Sequence, residues 1–591
     1  LASPISDYAL IGDGRTAAMV AVNGSIDFLC LPSFDSDACF AAMLGDQANG
    51  CWQIAPTGYV TAVERRYRGD TLILETDHTT EGGRVRVTDF MPWHDGEPTV
   101  VRIVEGLSGR VEMGSLLRPR FDYGRVPPWM RPFDGGLCAD AGPHQLVLHA
   151  PCQTEVENGG AHATFSVKTG KKLVFALSYA PSFADLPKKP DAARLLRQTD
   201  KAWRDWIDRF DVPRRWGAPL KRSLLTLKAL IDRRTGGLVA APTMGLPEVP
   251  GGSMNWDYRY CWLRDATFTL TALLNAGFGE EAVRWRDWIL RAIAGDPADM
   301  RIMYRIDGGR RLAEYEATWL SGHDGARPVL VGNAASNQTQ LDVYGELIDS
   351  FHVGERAGVE RTSRDIAVEI ALIEYLEGAW DKPGADIWES RDDPGCYTYS
   401  QAMAWVGINH FVESNVMRAA APDGLIGRMR GLRAHIHQTV CERGFSTSRG
   451  HFVQRYDGEA LDASLLLLPL VGFLPADDPR IVSTIAAVER ELMEGGLVRR
   501  KAARGDGHDE GAFLACSCWL ADCMAMQGRR EEAANMLDRV IGLSNDVGLL
   551  SEEFHVPTRR LIGNMPQALT HLGVVNSALF LSRPVVQRGA A

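Results

Sequence analysis

No apolar run in this 591-residue chain approaches the roughly 20 residues that cross a bilayer, so a membrane-spanning role is not expected. A cationic surplus is also missing. Lys and Arg number 64 against 75 Asp and Glu, and the formal net charge is −11. Binding a phosphate backbone relies on a basic face, so no nucleic-acid partner is expected. The one basic cluster, Arg499, Arg500, Lys501 and Arg504, reads as a solvated loop. The 11 cysteines lack paired metal spacing: Cys516 and Cys518 stand two apart, which is not a zinc-knuckle pattern. Several lie in apolar surroundings, as in FLCLP around Cys30 and FLACSCWL around Cys516, and read as buried reduced thiols. Reduced thiols favour the cytoplasm. The opening LASPISDYALIGDG has no initiator Met and no basic stretch followed by an apolar core, so it is not a secretory leader. A trimmed end or an already removed leader would leave the same residues. What is present is ordinary for a globular protein, with 45% hydrophobic and 24% charged residues. The length exceeds what one core supports, so two or more domains are expected.

The hydrophobic pattern changes along the chain. Up to about residue 179 it reads as β-structure, with short apolar runs such as RVRVTDFMP, HQLVLHAP, HATFSVKTG and KKLVFALSY between turn residues. Asn23-Gly24, between Ala21-Val22 and Ser25-Ile26-Asp27-Phe28, is a hairpin signal. Many short strands suggest an antiparallel sandwich. The stretch PSFADLPKKPDAAR then leads into a helix over about 195–209. From about Trp216 the period becomes helical. Helices are predicted over 220–233, 266–276, 281–293, 338–352, 364–380, 399–419, 425–441, 462–471, 481–493, 512–526, 531–541 and 566–580. A dozen helices fit a barrel of six hairpins or an α-solenoid. The absence of a fixed-period repeat weighs against the solenoid. The expected division is a β-sandwich over 1–185, a linker with a helix over 186–215, and a helical catalytic domain over 216–591.

Three segments between the helices could carry chemistry. They are Ile387-Trp388-Glu389, Leu550-Ser551-Glu552-Glu553 and NWDYRYCWLRDA over 255–266. Two separated carboxyls suit glycosidic cleavage, in which one protonates the leaving oxygen and the other activates water or attacks the sugar. Aromatic rings stack on sugar faces, and charged groups fix hydroxyls. A Trp beside Glu389 would desolvate the carboxyl and raise its pKa, as a general acid needs. Taken singly, each segment has a plainer reading: a solvated loop Glu beside a core Trp, an acidic pair flanking a helix, or Asp265 as a first-turn acid on the helix dipole. Singly the plainer readings win; their joint presence makes the catalytic reading tenable.

With these segments the chain resembles the glucoamylase/trehalase family of inverting glycoside hydrolases, bacterial branch. NGSIDFLCLPSFDSDACFAAMLG, AAPTMGLPE, NWDYRYCWLRDA, RPVLVGNAASNQTQLDVYGELID, GADIWE, GLLSEE and GNMPQALTH occur in the family's order. The resemblance implies a multidomain β + α fold, an N-terminal antiparallel β-sandwich followed by an (α/α)6 six-hairpin barrel. It implies Glu389 as general acid and Glu552 as general base. It implies Trp262, Arg264 and Asp265 as the element holding the terminal glucose, with Trp388 beside the acid. Gln340, Asp342, Arg391 and Glu553 are further substrate-binding candidates. Fungal starch-cleaving members carry a second Glu after the acid, where this chain has Ser390 and Arg391. They also have a Trp shortly before a Gln-x-Asp element, where Ser336 and Asn337 precede Gln340-Leu341-Asp342.

The expectation is an exo-acting, inverting α-glucoside hydrolase without cofactor or metal, its carboxyls roughly 6.5–9.5 Å apart to admit a water. The partner is a small α-glucoside, trehalose foremost, with isomaltose and malto-oligosaccharides close behind. A homo-oligomer is compatible with the sequence. Some family trehalases use an activating phosphate or divalent ion, for which no motif stands here. Two other readings are a non-catalytic sugar-binding protein, which would bind without turnover, and a phosphorolytic enzyme, which would consume phosphate. The carboxylate at Glu552 disfavours the second.

Overall fold

The computed structural model describes residues 2–503 and 510–583, so Arg504 lies outside it. The Asn23-Gly24 turn joins the paired strands Ala17–Ala21 and Ser25–Cys30. Gly24 has φ 77°, and a Cβ there would meet the Ile54 carbonyl oxygen at 2.4 Å, so the turn requires glycine. The two sheets of the sandwich share one strand, Thr99–Arg118, which at 20 residues is far from the short strands expected. Its first half pairs with Gly83–Phe90 and Lys172–Pro181, and its second half with Cys51–Pro56 and Gly160–Lys168. The change of sheet falls at Gly106 to Gly109, where Gly109 has φ 64°. No proline or strong turn signal interrupts the strand, so it continues through both layers. Its first half is buried on both faces, Val104 in the main core and Val101 in a smaller one, and Val111, Met113 and Leu117 carry the buried face of its second half.

The C-terminal helices form two concentric rings. The inner ring runs Ala266–Asn275, Asp342–Arg356, Thr398–Glu413, Leu467–Leu470, Leu514–Met526 and Ala568–Ser582, and the last helix closes on the first. Between these in sequence, and packed outside them, come Gly217–Leu230, Gly279–Ala292, Ser363–Ala379, Leu425–Arg443, Pro479–Glu491 and Arg530–Ile541. Burial explains the sorting. Ala568–Ser582 is apolar and buried on nearly every side, whereas Leu425–Arg443 buries only the stripe Leu425, Met429, Ile436 and Val440. The solenoid alternative is therefore excluded by ring closure.

Three predicted helices differ. That over 399–419 breaks at Ser414, whose hydroxyl accepts the Met417 N–H and starts the short helix Asn415–Ala420. That over 338–352 begins only at Asp342, after a 3₁₀ turn at Ala334–Asn337. That over 462–471 is the 3₁₀ turn Ala463–Leu466, capped by Asp462, followed by a single α-turn.

The helix Ala192–Ile207 seats the sandwich on the barrel. Trp203 meets Trp93 edge-on at 4.8 Å, and Trp206 stacks on Phe278 at 4.0 Å while its indole N–H donates to Glu281 at 2.6 Å. All 11 cysteines are free, eight of them buried. Among the described residues no helix is long and apolar enough to cross a membrane.

Candidate active site

The strand Cys261–Trp262, paired with Met303–Tyr304, places Trp262 at the mouth of the inner ring, and Asp265 stands at the start of the helix Ala266–Asn275. The Asp265 side chain makes no cap bond, so its carboxyl is not occupied by the helix end. It faces a chamber of about 30 Å³ together with Tyr258, Trp262, Arg264, Trp388, Glu389, Glu552 and other residues.

Glu389 has φ 60°, a conformation that costs a non-glycine residue energy and persists only where the surroundings impose it. Asp386 imposes it: its backbone carbonyl accepts the Glu389 N–H at 3.1 Å, and its carboxyl accepts the Ser390 N–H and O–H, each at 2.8 Å. Gln338 donates to the Glu389 and Ser390 carbonyls at 3.1 and 3.2 Å. Oε1 of Glu389 accepts the Trp262 indole N–H at 2.6 Å and Arg264 at 3.1 Å. With Oε1 occupied by donors, a proton on this carboxyl belongs on Oε2. Burial raises the Glu389 pKa, and Arg264 and the Trp262 bond oppose it. Burial works against the Arg264 charge, yet Asp265 and Glu389 hold it firmly protonated.

Glu552 enters from the other wall. Segments remote in sequence fix it: Glu552 N–H donates to Asn564 O at 3.2 Å, Gly563 N–H to Pro247 O at 2.7 Å, and Ala568 N–H to Ala240 O at 2.7 Å. Its Oε1 accepts the Tyr258 hydroxyl at 2.7 Å, and its buried Oε2 has no partner. Burial, and after it the nearby Glu248, push its pKa well above the usual range, while Arg500 and Tyr258 oppose. The two carboxyls are held apart by their own aromatic donors, Trp262 and Tyr258, whose rings lie 5.3 Å apart centre to centre. One carboxyl therefore has an oxygen to carry a proton, and the other has an oxygen to receive one.

Above this chamber lies a cavity of about 250 Å³ whose walls include Trp256, Asn333, Ser390, Arg391, Arg500 and Lys501. Arg391 packs its guanidinium over Trp256 at 4.6 Å and pairs with Glu314 at 2.7 Å. Lys501 binds Ser390 Oγ at 2.8 Å and Asp386 at 3.0 Å. The basic run is thus not a solvated loop. Arg500 is buried, contacting Glu248, Glu510 at 2.8 Å and Glu553 at 3.2 Å, with Trp388 and Phe513 rings beneath it. Carboxylates from three segments, Glu248 and Glu553 remote in sequence and Glu510 nearer by, compensate its charge, and a local run of basic residues cannot reveal that.

The remaining predicted residues fall in three places. Trp388 lines both cavities, and its indole N–H donates to Asp462 at 2.9 Å. Gln340 and Asp342 stand behind the chamber wall: Gln340 donates to Gln338 at 3.2 Å, and buried Asp342 accepts from Ser400 at 2.9 Å. Burial pushes the Asp342 carboxyl up to about 6. Glu553 opens the strand Glu553–His555 and accepts the Gly511 N–H at 2.8 Å. Neither cavity is lined by these three. Sequence reasoning passed over Tyr258, Glu248, Arg500 and Gln338. Tyr258 had a signal, since it shares the alternation of NWDYRY with Trp256.

The carboxyls of Glu248, Glu510 and Glu553 form the only group of three potential metal ligands among the described residues, and Arg500 already contacts all three. A larger cavity of about 480 Å³, beside the linker helix, is walled by arginines and tryptophans. Its buried carboxyl, Glu281, is tied to Arg209 and Lys228, leaving no free acid–base pair there.

Residues 217–579 match the family model described as Glycosyl hydrolases family 15, and residues 1–202 match Trehalase-like, N-terminal. The chain is 35% identical to a trehalase of Mycolicibacterium smegmatis, over 98% of this chain and 91% of that one. It is 32% identical to a trehalase of Thermoplasma volcanium, over 99% and 94%. A bacterial glucoamylase crystallised with acarbose shares the fold with a TM-score of 0.73 at 13% identity, covering 98% of this chain and 94% of that one.

Proposed function

The chain belongs to glycosyl hydrolases family 15, and we propose that this glycoside hydrolase cleaves trehalose with inversion, Glu389 acting as general acid and Glu552 as general base. The observation that carries the reading is the pair of carboxyls on one chamber, Glu552 buried and Glu389 partly exposed, each gripped through Oε1 by its own aromatic donor. Glu389 Oε2–H protonates the glycosidic oxygen as its bond to the anomeric carbon breaks. Water attacks that carbon from the opposite face and gives a proton to Glu552 Oε2. Arg264 and Asp265, beside the acid, are placed to hold the hydroxyls of the non-reducing glucose, and Trp262 and Trp388 wall off water. Arg391 and Trp256 flank the second sugar. The relatives at 32–35% identity, named trehalases, support the choice of substrate. The unpaired thiols support a reducing compartment such as the cytoplasm.

A panel of α-linked glucose disaccharides, followed by proton NMR, tests this. Trehalose, whose two anomeric carbons are joined α to α, should release α- and β-glucose equally at first, because only the attacked carbon inverts. Release of α-glucose alone would mean retention. Glu389→Gln and Glu552→Gln should each lower kcat by roughly 10²–10⁴-fold. Near-normal turnover in Glu552→Gln would remove the base assignment.

A further inference from the structure

Four carboxyls, the proposed base among them, crowd one wall of the site. Glu248, Glu510, Glu552 and Glu553 come from three stretches of chain, and one guanidinium, Arg500, faces them. Glu248 is buried in the wall of the 250 Å³ cavity. One of its oxygens is in contact with Arg500. The other lies 3.4 Å from the Tyr258 hydroxyl, whose proton goes to Glu552 at 2.7 Å. A phenol has a single proton to donate. Glu552 holds it at the shorter distance, so the Tyr258 oxygen is left facing Glu248.

We propose that Glu248 is a positioning residue for Glu552, acting through the Tyr258 hydroxyl that stands between the two carboxyls and through its hold on Arg500, and that it thereby fixes the acid limb of the rate profile. The inference rests on the reading of Glu552 as base. Other charged groups facing Glu552 are Arg500, Glu510 and Glu553 on its own side and Glu389, Arg264 and Asp265 across the chamber. A negative charge on Glu248 opposes ionisation of Glu552, and its contact with Arg500 diverts positive field from Glu552. Removing that charge acts in the same direction on both counts, easing ionisation of the base.

The test is the pH dependence of kcat/KM on trehalose for the wild type, Glu248→Gln, Tyr258→Phe and Glu552→Gln. Glu248→Gln should move the acid limb to lower pH by about one unit and leave the basic limb in place. Tyr258→Phe, which removes a donor to the ionised base, should move the acid limb to higher pH. It also keeps the inference falsifiable if Glu248→Gln fails to fold. An unmoved acid limb in either variant overturns the proposal. So does a Glu248→Gln effect confined to KM, which would make Glu248 a sugar contact. Substantial turnover by Glu552→Gln would instead bring down the base assignment. An inactive Glu552→Gln beside an unmoved Glu248→Gln limb would bring down this inference alone.

Discussion

Trp262 settles which oxygen of Glu389 can carry a proton, because its indole N–H and Arg264 both claim Oε1. The same indole stabilises the ionised carboxylate and so opposes the rise that burial imposes on the Glu389 pKa. Replacing it with Phe keeps an aromatic wall and deletes the donor. An acid that loses a donor to its charged form keeps its proton to higher pH. The basic limb of kcat/KM, where Glu389 loses its proton, should therefore move upward in Trp262→Phe while the acid limb stays. A pH–rate profile checks this, and a basic limb that stays or falls would show that the indole does not tune the acid. Asp265, which lines the same chamber at the start of the helix Ala266–Asn275, makes no side-chain cap bond, which leaves its carboxyl to the chamber.

The proposed base, Glu552, directly precedes a small hairpin, Glu553–His555 against Arg560–Ile562, and Gly563 follows directly. Gly563 has φ 73°, and a Cβ there would lie 2.8 Å from Glu552 Oε2 and 2.9 Å from Glu552 Cβ. Gly563→Ala should thus displace the one unpartnered oxygen of the base. It should lower kcat far more than it lowers Tm, since the left-handed backbone costs an alanine only about 1–2 kcal/mol. A large Tm loss with kcat intact would mean that the glycine serves folding alone. Helical periodicity made the dozen barrel helices legible, because a buried stripe repeats locally. The Thr99–Arg118 strand was not legible as one element, since its partners alternate between two sheets and no local pattern states that. Arg500 was misread for a similar reason: its partner Glu248 stands 252 residues away, and sequence shows only a basic run. The GNMPQALTH segment stood out only in company with the other motifs, and the structure ties it to AAPTMGLPE and to Glu552 through three backbone bonds.

At the scale of the molecule, the sandwich buttresses the pocket. Arg259 is fully buried, bonded to Asp257 at 2.6 Å, to the Ser36 carbonyl at 2.7 Å and to the Tyr123 hydroxyl at 2.9 Å, so the N-terminal sheets grip the NWDYRY segment from behind. Trp256 and Tyr258, alternating with these residues, turn toward the substrate cavities. This frame also limits substrate length. Ser390, where fungal starch-cleaving enzymes carry a second Glu, borders the cavity with its hydroxyl already engaged by Asp386 and Lys501. Arg391, next along, is paired with Glu314 and stacked on Trp256, with half its side chain in solvent. On the proposed reading, in which Arg391 and Trp256 flank the second sugar, a third or fourth glucose would lie beyond them toward solvent and meet few new contacts. Longer chains gain rate only where remote contacts supply binding energy. Across maltose, maltotriose and longer malto-oligosaccharides, kcat/KM should stay nearly flat, and trehalose should exceed them all. Steady-state kinetics over that series decide it: a steep rise with chain length, together with no turnover of trehalose, would mark a chain-trimming glucoamylase and would require stacking subsites beyond the Arg391 rim.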